Sequence, residues 1–142
     1  MHTLRQLLGN KTAEVYSVAP NDSVIDAIRL MAQKGVGAVL VMEGAQLVGI
    51  ISERDYARKV VLHGRSSADT AVREIMTAEV VTVGLQQTVA ECMRIVTEHR
   101  IRHLPVMGGD EAAGVISIGD LVKAVIEDQK VKLDELQRYI AS

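Results

Sequence analysis

"GIISERD" (residues 49–55) returns as "GVISIGD" (residues 114–120), 65 residues further along the chain. Sliding the sequence against itself by that interval aligns 12–61 with 77–126 without a gap, and 15 of the 50 pairs are identical. Unrelated stretches of this composition would match at roughly one position in fifteen. Many of the remaining pairs exchange one apolar residue for another, such as Ile28 with Met93 and Ile50 with Val115. The two heptapeptides therefore belong to a duplicated unit.

Each copy reads in the same order. "VYSV" and "VVTV" are short β-branched runs that suit a strand. Ser23 with Asp26, and Thr88 with Glu91, have capping-box spacing and predict a helix start. Apolar residues then fall at 24, 27, 28 and 31, and at 89, 92, 93 and 96, the spacing of one buried helical face. "AVLVM" and "LVGIIS" flank Gly44, and "HLPVM" and "AAGVIS" flank Gly109; each pair reads as a hairpin. A second helix begins at Glu53 or Ile118. The expected fold is α/β (α+β): two β-α-β-β-α repeats packed about a pseudo-twofold axis, their sheets covered by helices.

Short amphipathic lead-ins, "TLRQLL" and "AVREIM", precede the two units. The expected divisions are 1–66 for repeat 1 with its lead-in, 67–128 for repeat 2 with its own, and 129–142 for a helical tail. The tail's apolar residues at 133, 136 and 140 continue from Ile126 as a narrow seam. That seam suits either a dimer contact or packing onto its own domain.

Composition removes several functions. A net charge of −2 gives no basic surplus for nucleic acid or an anionic membrane. Three tyrosines, with no Phe or Trp, leave no stacking platform for single strands. No apolar run approaches a membrane span, and the start lacks a signal-peptide pattern, so the expected location is the cytoplasm. Cys92 stands alone, on the apolar stripe of its helix, and reads as a small core residue. Of His2, His63, His99 and His103, only His99 and His103 are four apart, and the helix ends between them, so no metal site is expected. No phosphate loop or Ser-His-Asp set is present, and no general base is positioned for chemistry. An enzyme is not expected.

Ser52-x-x-Asp55 and Ser117-x-x-Asp120 are helix caps in their own right, each contributing about 1 kcal/mol. They also sit where a strand gives way to a helix, a position whose free N–H groups and dipole suit an anion. A short carboxylate beyond a strand's carboxyl end can accept from a ribose diol. In such a site Ser or a backbone N–H meets phosphate and Asp meets ribose.

With "RIRHLPVM…GVISIGDLV" and "LVGIISERDYARKVV" in order in both halves, the chain resembles the paired cystathionine-beta-synthase (CBS) domain module, in its stand-alone two-repeat form. The resemblance runs from about Leu4 to about Glu127. It implies a non-catalytic regulatory module binding adenosine nucleotides (AMP, ADP, ATP, NAD or S-adenosylmethionine) between the repeats, as an energy or redox-state sensor. A homodimer and a regulated protein are implied as partners. The alternative is an interaction or dimerisation module with vestigial clefts.

Carried over residue by residue, the resemblance makes Asp55 and Asp120 the ribose ligands and sets Ser52 and Ser117 near phosphate. It sets Thr12 and Thr77, then Tyr16 and Val81, beside the adenine. The repeat 1 cleft is then Thr12, Tyr16, Val36, Gly37, Ala38, Ser52, Arg54 and Asp55. The repeat 2 cleft is Thr77, Val81, Ile101, Arg102, His103, Ser117 and Asp120. Arg100, Arg102 and His103 replace Gly35, Gly37 and Ala38, and Glu53, partly countered by Arg54, stands where repeat 2 has Ile118. On this grouping the Asp120 cleft holds the phosphate-bearing ligand more tightly.

Overall fold

The structure, a computed structural model, describes residues 2–9 and 15–141. The first half runs α1 (Leu4–Leu8), β1 (Ser17–Val18), α2 (Val24–Lys34), β2 (Ala38–Glu43), β3 (Gln46–Ser52) and α3 (Glu53–Tyr56). α3 passes directly into a π-helical turn (Ala57–Val61), and a 3-10 turn (Val72–Glu74) follows. The second half runs β4 (Val83–Gly84), α4 (Val89–His99), β5 (His103–Gly108), β6 (Glu111–Ser117) and α5 (Ile118–Ala141).

The duplication persists in the hydrogen-bond registers. β1 lies parallel to β2, and β2 antiparallel to β3, with Ala38 opposite Ser52. β4, β5 and β6 repeat this with His103 opposite Ser117. Even the bulges coincide, at Val41/Met42 and Val106/Met107. Gly44 and Gly109 turn the hairpins at φ 61° and 68°, where a side chain would be strained. α2 and α4 both start at a hydroxyl cap, Ser23 or Thr88, accepting from the N–H three residues on. The result is a mixed α/β molecule of two three-stranded sheets with helices.

The lead-ins depart from expectation. α1 packs onto the second unit: Leu4 N–H donates to the Gln87 carbonyl and Val89 N–H to the His2 carbonyl. Leu4 is fully buried in the core formed by Val83, Val89, Cys92, Val96, Leu104 and Leu121. The 3-10 turn packs onto the first unit, with Val72 N–H on Asp22 and Val24 N–H on Thr70. Val72 and Ile75 complete the core of Val24, Met31, Val39, Val41 and Ile51. Each lead-in thus reaches across the pseudo-twofold axis. The opposite helix start offers free N–H groups and an unfilled edge of core, and burying Leu4 there contributes about 2 kcal/mol.

The tail is not a separate element either. It is the second half of α5, where every described side chain from 129 to 141 is exposed. Ile126 (58%), Leu133 (55%), Leu136 (55%) and Ile140 (74%) form an uncovered apolar stripe, so the tail does not pack onto its own domain. Among the described residues no helix is long and apolar enough to cross a membrane.

Candidate functional site

Two clefts open beside the Ser-x-x-Asp corners, and each is built from both repeats. The first, about 190 Å³, is lined by Ile50, Ser52, Arg54, Asp55 and Arg58 of repeat 1. Its other wall is Thr77, Glu79, Val80, Val81, Arg100, Ile101, Arg102 and His103 of repeat 2. The second, about 280 Å³, sets Tyr16, Gly35, Val36, Gly37 and Ala38 against His103, Val115, Ser117 and Asp120. Both volumes are small for a ligand site.

The grouping expected from the sequence is therefore exchanged. Asp55 and Ser52 share a cleft with Thr77, Val81 and Ile101–His103, whereas Asp120 and Ser117 share one with Tyr16 and Val36–Ala38. The cause is the crosswise packing of the lead-ins. Thr77 leaves the 3-10 turn and pairs with Ile50 of β3, its N–H donating at 2.9 Å and its carbonyl accepting at 3.0 Å. The repeat 2 strap becomes a wall beside the repeat 1 corner. Gly49 allows the approach: a Cβ there would lie 2.6 Å from Met76 Sδ and 3.0 Å from the Thr77 carbonyl oxygen. Thr12, the counterpart of Thr77, lies outside the described residues.

The corners themselves are reciprocal caps. Asp55 Oδ2 accepts from Ser52 N–H (3.0 Å) and from the Ser52 hydroxyl (3.1 Å), and Asp55 N–H donates to Ser52 Oγ (3.2 Å). Asp120 Oδ2 accepts from Ser117 N–H (2.9 Å), and Asp120 N–H donates to Ser117 Oγ (3.1 Å). Both carboxylates are thus fixed at the carboxyl ends of β3 and β6. Asp55 is the more enclosed of the two.

Charge separates the clefts. Arg54 has its pKa lowered chiefly by Arg58 and then by Arg102, so guanidinium groups from both repeats converge on one mouth. None of Arg54, Arg58, Arg100 and Arg102 has an acidic ion-pair partner among the described residues. Arg100 caps α4 in the left-handed region at φ 53°, the only described non-glycine residue with positive φ. The second cleft is lined by no described Arg or Lys. The arginine-lined cleft is therefore the one that holds Asp55, whereas the sequence grouping set Arg102 with Asp120.

His103 faces both clefts. Burial lowers its pKa, against the raising pull of Asp120 and Glu53, and so favours the neutral imidazole. Its ring lies against Gly37, where a Cβ would sit 3.3 Å from Nε2 and 3.3 Å from Glu53 Oε1. Cys92 is buried, and burial raises its thiol pKa, so it stays protonated. No group of three or more His, Cys, Asp or Glu among the described residues could hold a metal ion. Lining residues that the sequence assigned to neither cleft include Ile50, Arg58, Glu79, Val80, Gly35 and Val115. Arg58 carried a usable signal, since it stands one helical turn from Arg54.

A duplicated β-α-β-β-α unit with two clefts, each lined by both repeats, is the architecture of a paired-domain module, and known proteins share it. Residues 8–62 and 72–127 each match the CBS domain family, and the chain belongs to that family. It is 42% identical over 125 residues to the mitochondrial CBS domain-containing protein CBSX3 of Arabidopsis thaliana, covering 84% of this chain and 61% of that protein's length. A solved CBS-domain protein from Burkholderia ambifaria superposes with a TM-score of 0.85 at 56% identity, covering 90% of this chain and 96% of the other. A CBS-domain protein from Pyrobaculum aerophilum, solved in complex with AMP, superposes with a TM-score of 0.74 at 24% identity, over 84% and 89% of the two chains.

Proposed function

We propose that the chain is a non-catalytic regulatory module that binds an adenosine nucleotide in the Asp55 cleft. The observation that carries this reading is the convergence of Arg54, Arg58 and Arg102 on a mouth that also holds a fixed, capped carboxylate. Unneutralised guanidinium groups repel one another, and an anionic ligand relieves that cost. Phosphate lies against the arginines, the ribose diol donates to Asp55, and the adenine sits between Ile50, Val81 and Ile101. The AMP found in the Pyrobaculum protein supports the ligand class. AMP, ADP, ATP or NAD bound there would make the module an energy or redox-state sensor, acting on a regulated protein through a shift in conformational population, whereas S-adenosylmethionine has no phosphate to set against the arginines. The second cleft, with Tyr16, Val36–Ala38, Ser117 and Asp120, offers the same ribose acceptor without the arginines.

The module works as a homodimer. The stripe from Val122 to Ile140 on α5 supports this, because monomers seldom leave so continuous an apolar face to water. The same stripe favours a second reading, an interaction module whose clefts are vestigial. Titration with the five nucleotides by calorimetry separates the two. Micromolar to millimolar binding of one nucleotide is expected, and heat from none of them would leave only the interaction module.

A further inference from the structure

Lys59 has two partners among the described residues: Asp55, which lines the first cleft, and the backbone of Ile75, in the strap that leads to its other wall. Its Nζ lies 3.2 Å from Asp55 Oδ1 and donates to the Ile75 carbonyl at 2.8 Å. Ile75 stands two residues before Thr77, which is bonded in both directions to Ile50. One ammonium thus fastens the carboxylate on the repeat 1 wall to the strap that carries the repeat 2 wall.

The second repeat lacks this tether. Ala124 occupies the equivalent position and is buried in the core at 3% exposure. The backbone explains the exchange. α5 runs unbroken, whereas α3 gives way to the π-helical turn Ala57–Val61. The shifted phase turns Val60 into the core at 1% exposure, where its counterpart Val125 is only partly buried. Lys59 is left outside the core, over Asp55. Turns of this kind are frequent at functional sites. Both Asp55 oxygens are consequently held, Oδ2 by Ser52 and Oδ1 by Lys59, while Asp120 Oδ1 has no described partner.

We propose that Lys59 is a positioning residue for nucleotide recognition in the Asp55 cleft. It fixes the carboxylate in the orientation that receives the ribose hydroxyls and locks it to the Thr77 wall. The inference rests on the nucleotide-binding reading above. An i,i+4 ion pair that served the helix alone would leave ligand discrimination untouched.

The test is calorimetric titration of AMP and 2′-deoxy-AMP into the wild-type chain, Lys59→Met and Lys59→Arg. A hydrogen bond to a fixed carboxylate should make the wild type prefer AMP by at least about tenfold. In Lys59→Met the affinity for AMP should fall by more than that for 2′-deoxy-AMP, which keeps only its 3′ hydroxyl, shrinking the preference to about twofold. Lys59→Arg should restore most of it. Lys59→Gln, which keeps a donor for Ile75, serves if the Met variant fails to fold. An unaltered preference, or an equal loss for both ligands, would overturn this inference alone. A wild type that binds neither this pair nor ADP, ATP or NAD would overturn the nucleotide-binding reading, and this inference with it.

Discussion

Arg100 and Gly35 occupy the same place at the ends of α4 and α2, at φ 53° and φ 66°. Each donates its N–H to a helical carbonyl four residues back, Val96 or Met31, which is the left-handed cap that glycine fills without strain. A side chain there costs about 1–2 kcal/mol. The duplicated unit tolerates that cost in the one copy whose cap reaches the arginine-rich cleft. Arg100→Gly should therefore raise stability by about 1 kcal/mol in chemical denaturation and weaken nucleotide binding several-fold. A variant that loses stability would show that Arg100 is held by contacts beyond its cap.

The close pass between β3 and the strap makes a second prediction. A methyl at residue 49 would meet Met76 Sδ at 2.6 Å and the Thr77 carbonyl at 3.0 Å, and the backbone atom cannot step aside. Gly49→Ala should destabilise by about 1–3 kcal/mol. Its urea midpoint should fall, and the displaced Thr77 should weaken the Asp55 cleft at the same time.

His103 supplies a pH dependence. Its folded pKa is lowered by burial, so below about 6.5 the unfolded chain takes up a proton more readily than the folded one. Stability is unaffected by this residue at neutral pH and falls as the solution is acidified through that range. A ligand phosphate near the ring works the other way, favouring the imidazolium. Melting temperature measured from pH 7.5 to pH 5 should decline less in His103→Gln, and a bound nucleotide should reduce the decline in the wild type.

The stripe on α5 predicts the oligomeric state. Leu133 and Leu136 are exposed and touch neither core cluster, so replacing both with Glu should leave the fold intact. Light scattering after gel filtration should find a dimer for the wild type and a monomer for the double variant. A wild-type monomer at micromolar concentration would sink the homodimer.

The duplication is legible as identity at a 65-residue interval, and the hairpin turns and the caps at Ser52 and Ser117 are legible because each depends on residues within a few positions of one another. The crosswise packing is not. Leu4 and Val72 are amphipathic in the same way, and nothing local says which core has a place for them. Pairing Asp55 with Arg102 rather than Asp120 with Arg102 follows only from that crossing. The π-helical turn is equally hidden, since "YARKVV" has ordinary helical periodicity until Val60, rather than Lys59, is found in the core. Sequence identity located the chemistry; the axis between the repeats decided which residues share it.

The measurement that bears most directly on the account is the affinity of the tight nucleotide site in Asp55→Ala beside Asp120→Ala, by calorimetry with AMP and ATP. Loss of the carboxylate beside the arginines should weaken binding by roughly tenfold or more, while Asp120→Ala should leave that site nearly unchanged. A larger loss in Asp120→Ala would contradict the assignment of the arginine-rich cleft as the nucleotide site.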